Sequence, residues 1–205
     1  MAIKFQYNKT FLHKLRKDLK IRENALPTLQ AKESALRLEV KKAKQETKQI
    51  QKQLDEKKVA MAPTYRLWGE FPPDLLTVRE VLVTTKKIAG VKIPQLDEVR
   101  FSINIPSFFA AASWYPAGVD LLKELLHLTI KKEVADKRTE ILEYARKKTT
   151  QKVNLYEKVQ IPGYREAILK IKRFLEDEEN LAKAAQKILK ERMARAEAAK
   201  AEEAA

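Results

Sequence analysis

The chain has 205 residues, a formal net charge of +14 with 34% charged residues, no cysteine and only four glycines. The lack of cysteine excludes a disulfide framework and any thiolate metal site, and Gly69, Gly90, Gly118 and Gly163 lie too far apart to build a glycine-rich phosphate cradle. Leu, Ile and Val recurring at a fixed period argue against disorder, and so few glycines suit long helices better than a loop-rich enzyme.

Between residues 8 and 60 the pattern steps by three and four through Leu12, Leu15, Leu19, Arg22, Leu26, Leu29, Glu33, Leu36, Val40, Ala43, Thr47, Ile50 and Leu54. A narrow seam with this 3.5-residue period predicts a helix about 75 Å long that must wind against a second helix. Asn8 or Thr10 is placed to cap its start. Pro27 removes a backbone donor, and because the heptad phase continues on both sides, a kink near Glu23–Leu26 is expected. Pro63, Gly69, Pro72 and Pro73 then end the helix between Met61 and Asp74. Trp68 and Phe71 fall in that segment and read as apolar bulk capping one end of the coil.

From Thr77 to Ile105 the period becomes two. Val99, Phe101, Ile103 and Ile105 alternate with Arg100, Ser102 and Asn104, and Val78–Lys87 is rich in β-branched residues. A β-hairpin over about 77–105 is predicted, with its turn at Ala89–Gly90 or Pro94–Glu98. Pro106–Gly118 is apolar and irregular, and Trp68, Phe108, Phe109 and Trp114 form a candidate partner surface, expected to be exposed. Gly118 or Asp120 opens a second long helix with a stripe of Leu121, Leu125, Leu128, Val134, Ile141, Ala145, Leu155 and Val159. At Pro162–Gly163 the stripe shifts phase to Ile161, Tyr164, Ile168, Ile171, Leu175, Glu178, Ala182, Ala185, Leu189 and Arg192. The remaining Ala- and Glu-rich stretch is expected to be helical, exposed and frayed at its end.

The fold expected is mainly α: a long antiparallel two-helix coiled coil with a small β-hairpin head in the middle of the chain. It divides into an N-terminal helix (1–60), a head (61–118) and a C-terminal helix with tail (119–205). The seam sets Leu12, Leu15, Leu19, Leu26, Leu36, Ile50 and Leu54 against Ile168, Ile171, Leu175 and Leu189. Such a rod is a mechanical or scaffolding part before it is an enzyme.

No constellation for chemistry emerges. His13 and His127 read as solvated side chains, and the run Glu176–Glu179 points around a helix axis and cannot converge on one site. No catalytic, cofactor or metal site is expected. Lys and Arg are interleaved with Glu, as on solvated faces, and regions 17–60 and 176–205 carry no aromatic for base stacking. Met1–Gln6 lacks a signal-peptide core, and no stretch approaches the ~18 apolar residues of a membrane span. A cytoplasmic protein, held at the membrane only through partners, is expected.

The block Lys152-Val-Asn-Leu-Tyr-Glu-Lys-Val-Gln-Ile-Pro162, followed by Ile168, Ile171, Leu175 and Glu176–Glu179, resembles the C-terminal helix in the family of D subunits of V-type (V/A-type) rotary ATPases. Ile88-Ala-Gly-Val-Lys-Ile-Pro94 looks like that family's hairpin segment. Where the family has a glycine followed by a Leu-Leu-Lys run, this chain has Ala25-Leu26-Pro27. The resemblance implies a non-catalytic central-stalk rotor shaft, coupling ATP hydrolysis or synthesis in an A/B hexamer to ion translocation. The partners it implies are the A and B subunits, the F subunit and the socket subunit linking to the membrane ring, with no cofactor and no nucleic acid. A prefoldin-like chaperone is the alternative of another class, and the aromatic segment 106–118 argues against it. A basic coiled coil binding nucleic acid is the third reading, opposed by the missing aromatics.

Overall fold

The computed structural model describes residues 6–104 and 112–203; Ile105, Phe108 and Phe109 lie outside them. Helix α1 spans Lys9–Met61, and Asn8 caps it, its Oδ1 accepting the Phe11 N–H at 2.6 Å. Pro27 lies inside α1 without breaking it. A 3₁₀ turn at Ala62–Thr64, the single helical turn α2 (Tyr65–Trp68) and a second 3₁₀ turn at Pro73–Leu75 lead into strands β1 (Leu76–Ile88) and β2 (Val91–Ile103). Helix α3 (Tyr115–Leu155), a π-helical turn at Tyr156–Gln160 and helix α4 (Ile161–Glu203) complete the chain. Helix α3 starts earlier than expected, at Tyr115, because Pro116 fits a first helical turn, where an N–H has no partner to lose.

The strands pair antiparallel around Ala89 (φ 48) and Gly90 (φ 79), whose paired positive φ angles make the two-residue turn that matches strand twist. Pro94 sits inside β2 opposite Thr85, so the alternative turn at Pro94–Glu98 is not formed. Two register shifts leave Arg79 and Asp97 as extra residues, bending the ladder.

The chain forms two compact units, residues 31–150 and residues 1–30 with 151–205, a grouping that cuts across the three segments read from sequence. In the first, α1 and α3 run antiparallel: Thr150 donates to Glu33 (3.2 Å), Lys44 pairs with Glu143, and Arg138 pairs with Glu46 (2.9 Å). Leu36, Val40 and Ala43 of α1, Leu142 of α3 and Ile93 of β2 form one core, with Ile88, Ala89 and Val91 of the hairpin tip packed against it. Leu75, Leu76 and Val119 form another, flanked by Phe71, Phe101, Tyr115, Leu122 and Leu126. The hairpin therefore lies along the helix pair, its base against one core and its tip against the other.

The α3 stripe is corrected by about one residue. Leu121 and Ile141 are each 38% exposed, whereas Val119, Ala135, Leu142 and Thr149 are buried. Threonines hide this phase: the hydroxyls of Thr139 and Thr149 donate to the carbonyls of Ala135 and Ala145 (2.9 and 2.8 Å), so a polar side chain sits in the seam without an unmet donor.

In the other unit, Leu12 and Leu15 of α1 pack on Ala167 and Ile171 of α4, joined by Ile168 and Leu175. Arg22, a polar break in the heptads, donates from Nε to Gln160 (2.8 Å) and lies 4.5 Å over the Tyr164 ring; Arg165 pairs with Glu23 (2.6 Å). Lys170 holds the exposed Glu166 carboxyl below its ordinary range by a hydrogen bond and by its charge. Leu189 does not join the seam; it is 60% exposed, and Glu178, Ala182 and Ala185 are exposed with it. The reason is length. Tyr7, just before α1 begins, already meets Phe174 in a tilted ring contact at 4.7 Å, so α4 beyond this level has no α1 turn opposite it.

Ile171 is fully buried and Ile168 only partly so. Ile171→Ala should therefore lower stability by about 2–5 kcal/mol and Ile168→Ala by clearly less. Urea denaturation followed by circular dichroism checks the ranking; equal losses would contradict this packing.

Candidate functional site

Of the residues singled out in sequence, Trp68 and Trp114 are brought together. Their rings meet edge-on at 5.7 Å, with Phe71 at 5.4 Å from Trp68 and Tyr115 at 5.1 Å from Trp114. Polar atoms are used too: Trp68 Nε1 donates to Thr64 Oγ1 (3.2 Å) and the Tyr115 hydroxyl to the Glu70 carbonyl (3.2 Å). Both tryptophans are half-buried, so they form a plug over the Leu75–Val119 core with one open side. Gly118 makes the plug possible, since a Cβ there would lie 2.9 Å from Trp114 Cζ3 and 3.3 Å from Phe71 Cε2.

A second surface was not recognised as one from sequence. Leu181 (72% exposed), Ile188, Leu189 and Met193 project from α4 beyond Phe174. Phe174, Leu181 and Ile188 are spaced seven apart and so share one face. Arg192 and Arg195 continue the same face, while Lys183, Lys187 and Lys190 lie toward the opposite one, after the acidic block Glu176–Glu179. The signal was present in the relative lengths of the two helices: α4 continues to Glu203, far past the level at which α1 begins. Val78, Val81, Val83 and Ile103 of the hairpin are also exposed apolar side chains.

His13 and His127 are exposed and apart from these surfaces. Among the described residues no group of three or more His, Asp or Glu is placed to hold a metal ion, and no helix is long and apolar enough to cross a membrane.

Residues 11–191 match the family model described as the D subunit of ATP synthase. The chain is 29% identical over 189 residues to the V-type ATP synthase D subunit of Borreliella burgdorferi, covering 91% of this chain and 94% of that one. It is 26% identical over 182 residues to the protein of the same name from Chlamydia pneumoniae, covering 86% and 87%. With that from Chlamydia felis it shares 28% identity over 160 residues, covering 76% and 77%.

Gly→Ala inside a helix ordinarily stabilises by up to about 1 kcal/mol. At Gly118 the added methyl must displace Trp114, so Gly118→Ala should destabilise instead and shift the tryptophan emission. Unfolding followed by intrinsic fluorescence tests the sign; a stabilised variant with unchanged emission would show that the plug yields freely.

Proposed function

The chain belongs to the family of ATP synthase D subunits, and from that premise we propose that it is the central rotor shaft of a V-type rotary ATPase. In this role it does no chemistry of its own. It couples ATP hydrolysis or synthesis in a hexamer of A and B subunits to ion translocation, contacts the F subunit and the socket subunit, and stays at the membrane through the complex.

The observation that carries the reading is the division of α4. Up to Leu175 the stripe of Ala167, Ile168, Ile171 and Leu175 packs on α1, and beyond Phe174 the stripe of Leu181 and Ile188 is left to water. A helix with an unburied apolar stripe is built to be covered by something else, and a collar of A and B subunits supplies that cover. The paired part supplies stiffness, because torque on a two-helix seam is shared among many small side-chain contacts in parallel. The lysines and arginines carried around this part of α4 favour an acidic sleeve, in which diffuse attraction lacks the deep local minima of interlocked apolar contacts.

The double variant Leu181→Asp, Ile188→Asp tests this in the reconstituted complex. Both positions are exposed, so unfolding of the isolated chain should shift by no more than about 0.5 kcal/mol. ATP-driven ion pumping should fall sharply. Removal of Ala198–Ala205, which carries no stripe, should leave both unchanged. Full pumping by the double variant would refute the proposed docking of α4.

A further inference from the structure

A cavity of about 380 Å³ lies between the hairpin and the α1/α3 pair, walled by Ile50, Ile93, Pro94, Val134 and Ala135. Its polar lining is cationic. Lys86 comes from β1, and Lys131 and Arg138 come from α3, seven residues apart and so on one face of that helix. Glu46 is the only carboxylate lining it, and Arg138 Nη1 already holds that group at 2.9 Å. Among the described residues neither Lys86 nor Lys131 has an ion-pair partner, so two positive charges remain uncompensated at this cavity.

The position of Lys86 is the unusual feature. It is cross-strand partner of Ile93, and partners in an antiparallel ladder point to the same face. Ile93 is buried against the helices, which puts Lys86 on the helix-facing side of the hairpin, where an apolar residue would be expected. A second oddity lies beside it. The Arg138 Nε is buried and has no hydrogen-bond acceptor, a donor that a native structure seldom leaves unmet.

We propose that this cavity binds a compact multivalent phosphate oxyanion, which bridges Lys86 of the hairpin to Lys131 and Arg138 of α3. Guanidinium and ammonium donors lining one cavity from two elements suit the tetrahedral oxygens of phosphate. The volume is near the lower end of ligand cavities, about 300–1,000 Å³, which favours an inorganic oxyanion over a whole nucleotide. Bound there, the anion would fasten the hairpin to the helix pair, making hairpin attachment responsive to the concentration of free phosphate species.

The test is calorimetric titration of the full chain with pyrophosphate, inorganic phosphate and ATP at constant ionic strength. Pyrophosphate should bind at one site, and ATP should bind no more tightly than pyrophosphate. Lys86→Gln and Lys131→Gln, both at exposed side chains that leave the cores untouched, should each weaken pyrophosphate binding by roughly tenfold, the loss of about one charge-assisted hydrogen bond. Lys147→Gln removes the same charge from an exposed site on α3 away from the cavity and should change nothing. In hydrogen exchange, pyrophosphate should slow the amides of 84–88 in the parent chain but not in Lys86→Gln. Equal weakening by all three variants would reduce the effect to net charge and overturn the assigned site, and tighter binding of ATP would overturn the compact-anion assignment. Absence of saturable binding would leave Lys86 as a strand-edge guard against aggregation and end the proposal.

Discussion

A stripe two side chains wide cannot be buried by the helix that carries it, and the need for a facing element governs both units. Fully burying a Leu or Ile contributes about 1.5–3 kcal/mol, whereas an exposed ion pair contributes about 0–1 kcal/mol. The packing of Leu12 and Leu15 on Ala167 and Ile171 therefore outweighs the Arg165–Glu23 pair at its edge. In the unit of residues 31–150 the two helices gain a third layer: Ile93 of the hairpin completes a core that Leu36, Val40, Ala43 and Leu142 leave open. Small residues take part as well, since Ala43, Ala135 and Ala167 are all buried.

Keeping such a seam in phase is a separate problem, and the chain meets its prolines at Pro27 and Pro162 differently. A straight α-helix drifts by about 20° per heptad against a strict seven-residue repeat. Along α3, Ala135, Leu142 and Thr149 keep the seven-residue step, as do Thr139, Arg146 and Val153; along α4 so do Ile161, Ile168 and Leu175. From Val153 to Ile161 the step is eight. The extra residue is absorbed by the π turn Tyr156–Gln160, where the Ile161 N–H reaches back five residues to the Tyr156 carbonyl. This wider turn falls immediately before Pro162, which has no N–H to donate and would crowd the carbonyl of Lys158 in a regular helix. One local adjustment thus accommodates the proline and resets the seam. At Pro27, on the exposed side of α1, no such reset occurs and the helix runs on.

The heptad and the strand alternation are legible in the sequence because each is a long repeat in which single exceptions average out. Position by position, legibility falls where polar groups do apolar work. Thr149 is buried, and its hydroxyl is satisfied by its own helix, so a pattern counted only in aliphatic residues lands on Leu121 and Ile141 instead. Arg22 looks like a fault in the α1 stripe, yet its guanidinium covers Tyr164 and bonds Gln160. Leu189 fails for the opposite reason. Periodicity says which face of a helix is apolar and nothing about whether another helix is present at that level to cover it. The aromatic plug is visible as composition, but its geometry depends on Gly118, whose value lies in having no side chain and hence leaves no trace in a hydrophobic pattern.

The unpaired end of α4 raises the question of how a helix keeps its form without a neighbour. Its sequence from Leu181 is mostly Ala, Lys, Glu, Arg and Leu, the strongest helix formers, and Lys183 pairs with Glu179 one turn earlier. Helix formation is limited by its nucleus, and here the turns packed on α1 supply one from which the free end propagates residue by residue. A segment already helical before it meets a partner loses little backbone freedom on docking, so more of the area it buries is kept as affinity. In the proposed shaft this separates two demands that a single packed core would set against each other. The paired turns hold the molecule together whatever the partner does, while the free turns, being held only by their own helix, present an apolar face that successive surfaces of a surrounding ring can take up and release.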